Sequence, residues 1–177
     1  MFRSRMARFL SVLSATFALI AVSAHSQAGN LVLAFEGFPA AIDVLSFNNG
    51  ARNQGSPTAG GGGVGKPAFS DSTFTALESP MTPMLLEHLT RGSHIKSARL
   101  QVFPPNLPPN APPNVPPLSA WIFDDVMITG LQVTAGGAEP RTLTNFTFGY
   151  ARLRYEVYVN GKVVSQTCWD VRTNARC

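Results

Sequence analysis

The stretch that most restricts how this chain can fold is its C-terminal hairpin signal. Leu153, Tyr155, Val157 and Val159 alternate with Arg152, Arg154, Glu156 and Tyr158, and the run then meets Asn160-Gly161. Alternation with period two sets one row of side chains against a core and the other against solvent, the pattern of a half-buried strand. Asn-Gly supplies the two positive-φ residues that a type I′ turn requires, so Lys162 to Trp169 returns as the partner strand. A lone hairpin is barely stable in water, so the rest of the chain must supply more sheet.

Further strand-like runs lie upstream. Leu31 to Phe35 and Ile42 to Phe47 are short apolar segments separated by Glu-Gly-Phe-Pro. Phe69 to Leu77, Lys96 to Phe103, Val126 to Val133 and Leu143 to Tyr150 also alternate, the last placing Phe146, Phe148 and Tyr150 together. One segment breaks the rhythm. Thr82-Pro83, read as an N-cap followed by proline at the first helical position, opens Met84-Leu-Leu-Glu-His-Leu, and Gly92 closes it. The expectation is a mainly β fold of seven or eight strands with one short α-helix at about 82–91. A closed barrel or a sandwich satisfies it, and full closure removes exposed edges.

Residues 1–28 have the form of a secretory signal peptide: Arg3, Arg5 and Arg8, then an uncharged run of 16 residues from Phe9 to Ala24, with small residues for cleavage after 24 or 28. The run falls short of the ~20 residues that span a bilayer, so it reads as a removable leader and not a stable membrane anchor. Without those three arginines the formal charge of +4 falls to +1, with 11 basic and 10 acidic residues scattered along the chain. Nucleic acid is a poor partner for such a surface, because phosphate binding needs a concentrated basic face. Export places residues 29–177 in the periplasm or outside the cell, an oxidising setting in which Cys168 and Cys177 either pair or remain two free thiols.

Two insertions interrupt the strands. Residues 49–67 hold Asn-Gly, Ser-Pro and the run Gly60-Gly61-Gly62-Gly63-Val64-Gly65-Lys66, a loop by composition. Residues 104–117 hold eight of the 14 prolines in a PPNL-PPNA-PPNV-PP pattern, which reads as a polyproline II spacer. Gly60 to Lys66 fits the first seven positions of a phosphate-binding loop, but Pro67 stands where Ser or Thr should hold Mg²⁺, and the flanks lack the required strand and helix. No nucleotide or other cofactor is expected.

No catalytic or metal site is indicated either. His88 and His94, with Glu87 beside them, match no zinc spacing, and His88 reads as an exposed residue near a helix end. Asp124 and Asp125 are strand neighbours expected to point to opposite faces, with no third acid indicated nearby. There is no GxSxG elbow, and Asn145-Phe-Thr, although a glycosylation acceptor by pattern, lies inside a strand.

Several landmarks in order resemble one family. Ile42-Asp-Val-Leu-Ser-Phe, the Gly-rich loop ending GGGGVGK, and Phe69-Ser-Asp-Ser-Thr-Phe-Thr are similar to the second and third strands and intervening loop of Hcp, the haemolysin-coregulated protein of bacterial type VI secretion systems. Pro83-Met-Leu-Leu, Gly92-Ser-His-Ile-Lys and Cys168-Trp-Asp-Val-Arg-Thr-Asn resemble its helix, the strand after it and its closing strand. The resemblance spans about residues 30–177 apart from the proline insert. It implies a small closed β-barrel that forms homohexameric rings, which stack into a tube carrying effectors and meeting spike and sheath proteins. It also implies that the loop containing Gly60, Gly61, Gly62, Gly63, Gly65 and Lys66 contacts a neighbouring subunit, and it brings no catalytic residues. A cleavable leader and the proline insert depart from the family pattern, which leaves a stand-alone exported binding module as the alternative.

Overall fold

The computed structural model describes residues 30–53, 65–105, 115–136 and 142–177. The leader at 1–28, Gly60 to Gly63 and the middle of the proline repeat lie outside the described residues. In chain order the elements are β1 (Leu31–Phe35), β2 (Ile42–Asn48), β3 (Ala51–Asn53), β4 (Pro67–Phe69), β5 (Ser72–Leu77), α1 (Thr82–Arg91), β6 (His94–Val102), β7 (Ser119–Thr134), β8 (Leu143–Val159), β9 (Lys162–Asp170) and β10 (Ala175–Arg176). The main sheet runs β10-β9-β8-β5-β2-β1-β6-β7, and β7 pairs back onto β8. That pairing closes β8-β5-β2-β1-β6-β7 into a six-stranded antiparallel barrel, while β9 and β10 extend the sheet outward from β8.

A single long strand makes both arrangements. The 17 residues of β8 pair with β7 along their length, with β5 over Leu143–Phe148 and with β9 over Arg152–Val159. The two strands expected at 143–150 and 153–159 are therefore one. Conversely, the strand expected over Phe69 to Leu77 breaks at Ser70-Asp71, where the Ser70 N–H and hydroxyl both donate to the Gly50 carbonyl, at 2.9 and 3.0 Å.

Aromatic rings fill the barrel. Phe74 stacks on Phe146 and Phe148 with centroids 5.0 and 4.9 Å apart, and Phe123 meets Phe148 edge-on at 5.0 Å. All four are fully buried, with Leu33, Val44, Leu85 and Leu100 around them. A small barrel packed in this way has side chains where a larger one would hold a ligand, so its chemistry must be presented on the outside.

The helix spans the expected residues, but Met81 occupies its N-cap and no side chain caps it; Thr82 is already helical. Thr82 turns inward instead, where its hydroxyl accepts the Ser79 N–H at 3.2 Å and lies 3.4 Å from the Thr144 hydroxyl. Gly92, at φ +60°, closes the helix in the left-handed conformation that glycine adopts without a Cβ penalty.

The β8–β9 turn has Asn160 at φ +52° and Gly161 at +75°, as a type I′ turn needs. A Cβ on Gly161 would meet Pro116 at an ordinary 3.6 Å, so Gly161→Ala strains backbone and not packing. The expected loss is about 1 kcal/mol, read as a lower urea midpoint with an unchanged m value.

Candidate functional site

The outer face of β6, β7, β8 and β9 carries the densest polar chemistry, and it begins with a kink. Phe123 and Val126 are both fully buried although three residues apart, as are Ile95 and Ala98 on the neighbouring strand. A regular strand would put such residues on opposite faces. Asp125 absorbs the change at φ +57°, a conformation Asp tolerates better than most residues because its short polar side chain can bond locally. The ladder passes from Val126–Tyr150 to Asp124–Arg152, skipping Asp125.

Because of this kink, Asp124 and Asp125 are not independent, contrary to the alternation expected of them. Asp124 lies 3.6 Å from Arg152, Arg152 3.5 Å from Asp170, Asp170 3.8 Å from Arg172, and Arg172 3.8 Å from Asp125, which meets His94 Nδ1 at 2.7 Å. Asp170 is thus the third acid that the chain order did not indicate. Arginines stand between the three carboxylates, so the acids are bridged and do not converge on one point.

Asp170 is set by its own turn. Its carboxylate accepts the backbone N–H groups of Arg172 and Thr173, both at 3.0 Å. The bond from Thr173 does most to hold its carboxyl below the ordinary 3.8; burial opposes this and Arg172 assists. An acid kept ionised has no proton to give near neutrality, which argues against a general-acid role. Because the folded-state value is depressed, Asp170 contributes stability above the ordinary value, and that contribution is lost as pH falls through the lower folded value. Asp170→Asn should therefore lower the thermal midpoint at neutral pH and flatten its decline below pH 3.8, which melts over a pH series will read.

A second cluster lies two rungs along β8. Tyr158 donates to Glu156 at 2.5 Å and accepts from Arg99 at 2.8 Å, while Arg99 and Arg154 approach the buried Glu156 at 3.5 and 3.9 Å. The hydrogen bond to Glu156 is the main reason the Tyr158 hydroxyl titrates above its ordinary value. Of the residues expected to face solvent, Arg154 is exposed and Arg152 and Tyr158 are half-buried, whereas Glu156 is buried with Arg99 and Arg154 set against its charge.

The remaining predicted residues have separate surroundings. His88 is half-buried and not exposed, stacked on Phe38 at 5.6 Å and 2.8 Å from the Ser93 hydroxyl. Glu87 pairs with Arg91 at 2.8 Å. Asn145 accepts a hydrogen bond from Thr75 at 2.7 Å within the sheet. Among the described residues no group of three or more His, Cys, Asp or Glu is placed to hold a metal ion.

Of the Gly-rich loop, Gly65 is half-buried and Lys66 exposed. The ends of the segment are paired, since β3 and β4 form a ribbon from Ala51–Phe69 to Asn53–Pro67. Phe69 lies 6.4 Å from Trp169, and Tyr150 donates to Asn49 at 3.1 Å, so the barrel wall grips the stem of the loop. A strand follows Lys66 where a phosphate-binding loop would need a helix. Cys168 and Cys177 are bonded, with Cα atoms 5.4 Å apart, and clip β10 onto the end of β9. The ends of the proline insert meet the barrel together: Phe103 donates to Asn30 and Leu118 to Val102, both at 2.7 Å.

The family model described as "Type VI secretion system effector, Hcp" matches residues 34–157. The chain belongs to the Hcp family. The match runs from within β1 to within β8 and so reaches all six strands of the closed barrel. No curated protein matches the chain in sequence. Among solved structures, Hcp1 from Salmonella typhimurium is 17% identical with a TM-score of 0.66, over 85% of this chain and all of that one. A structure described as a type six secretion system protein is 20% identical with a TM-score of 0.68, over 85% and 100%. A type VI secretion system effector from Yersinia pestis is 20% identical with a TM-score of 0.62, over 80% and 99%. These likenesses establish the Hcp barrel as the fold. No helix among the described residues is long and apolar enough to cross a membrane.

Proposed function

We propose that this Hcp protein is an exported structural subunit whose 1–28 leader is removed and whose residues 29–177 assemble into six-membered rings. The rings stack into a tube that carries effector proteins in its lumen and engages spike and sheath components of a type VI secretion system. The observation that supports this reading best is the closed barrel with its aromatic-filled interior, over the range that the family model matches. Such a subunit can act only through its surfaces, and the arginine-bridged acids outside it offer no convergent pair for acid–base work. The loop containing Gly60 to Lys66, which joins β3 to β4 in the sequence, is the subunit contact in this reading, because glycine lets backbone approach backbone closely.

A second reading is favoured by the proline insert, which leaves and rejoins the barrel at one end, beside the Asn160-Gly161 turn. An insert whose two ends lie there can obstruct stacking and leave an exported binding module in the periplasm or outside the cell. Negative-stain electron microscopy of the processed chain tests both. Rings support the first reading, and tubes that form only after deletion of residues 104–117 identify the insert as the obstruction. Single particles without rings, before and after the deletion, favour the binding module.

A further inference from the structure

The strand β9 has an open outer side. Its inner edge pairs with β8 from Lys162 to Asp170, but among the described residues its outer edge is met only by β10, at Trp169 and Asp170. The Cys177 N–H reaches the Cys168 carbonyl, so the backbone groups of Cys168 point outward. In an antiparallel strand the backbone groups alternate sides, so those of Gln166, two residues back, face the same open side. Every residue from Lys162 to Thr167 is exposed, Val164 by 59%. Natural edges of this length are usually covered or studded with charge.

Beside this edge lies a groove of about 360 Å³ lined by Arg154, Gln166, Thr167, Cys168, Arg176 and Cys177. Its side-chain charge is positive. Arg176 makes no ion pair among the described residues, and Glu156, the carboxylate near Arg154, is already held by the Tyr158 hydroxyl and Arg99. An open backbone edge and two arginines in one groove suit one kind of occupant.

We propose that the β9 edge and this groove bind an extended acidic segment of a partner protein by strand addition, with the partner's carboxylates set against Arg154 and Arg176. Main-chain bonds to the edge give such a complex its affinity, and side-chain pockets give it specificity. A second copy of this chain fits less well, because β9 paired with β9 brings both copies' Arg154 and Arg176 into one sheet, and the carboxylate of β9, Asp170, is already bridged to Arg152 and Arg172.

A fluorescein-labelled octapeptide alternating Glu and Val, titrated with the processed chain and followed by anisotropy, tests the proposal. Saturable binding is expected, weakened at least tenfold by Arg176→Glu, with no binding of a Lys/Val counterpart. Arg176 is exposed, so its substitution should leave the thermal midpoint unchanged. Gln166→Pro removes the outward N–H at a position where edge strands accept proline, and should abolish binding. An octapeptide N-methylated at alternate amides should also fail, and it leaves the protein untouched if the proline variant misfolds. Equal binding of acidic and basic peptides, an affinity indifferent to Arg176→Glu, or retained binding of the N-methylated peptide would overturn the proposal. So would a peptide-independent dimer dispersed by Gln166→Pro, which would assign the edge to a second copy.

Discussion

Replacing Phe148 with alanine is expected to destabilise the barrel by about 3 to 5 kcal/mol, the range for removing a buried phenylalanine from a core that cannot collapse around the loss. Phe148 is fully buried and touches three other rings: Phe74 stacked at 4.9 Å, Phe123 edge-on at 5.0 Å and Phe35 at 5.9 Å. These rings come from β1, β5 and β7, strands tied into one hydrogen-bonded cylinder, so the walls cannot move inward to fill the space. Urea unfolding followed by fluorescence checks the loss. Phe69→Ala is the comparison, because that ring is only half-buried, packed at the edge of the core and 6.4 Å from Trp169; its loss should be clearly smaller. Equal losses would mean that the stacked rings do not hold the barrel.

Cys168→Ser should cost about 2.5 to 3 kcal/mol on the chain-entropy model of a crosslink closing a loop of this length. The bond closes a separation of nine residues, within which Asp170 accepts two backbone N–H groups and the Trp169 indole donates to Asn174 at 3.3 Å. Those bonds organise the turn but do not span it to Cys177. Without the disulfide, β10 keeps only its two rungs on β9, too short a strand to stay in place by itself. Thermal melts with and without reductant should differ for the native chain and coincide for the variant. Coincident melts for the native chain would show that the thiols are not paired in the folded protein.

The strands and the helix were legible because their signals are local. Leu153 to Val159 with Asn160-Gly161 reads as a hairpin without reference to the rest of the chain, and Pro83 with Gly92 brackets α1. What was not legible depends on partners far apart in sequence. Tyr150 and Leu153 both belong to the core although three residues apart, so the change of face looked like a boundary between strands. Only the pairing with β7, where Asp125 turns left-handed, makes the strand continuous. Asp124 and Asp125 likewise looked unaccompanied because Arg152, Asp170 and Arg172 reach them across the sheet. Asp170-Val-Arg-Thr did carry a local signal, an Asp placed to accept N–H groups two and three residues on, and it marks the turn that delivers the third acid.

The central claim, that this barrel works as a building block through its outer surfaces, meets its most direct test in solution mass. Sedimentation equilibrium of the processed chain at high micromolar concentration should give a species of six subunits. A single-chain mass across that whole range would contradict the account.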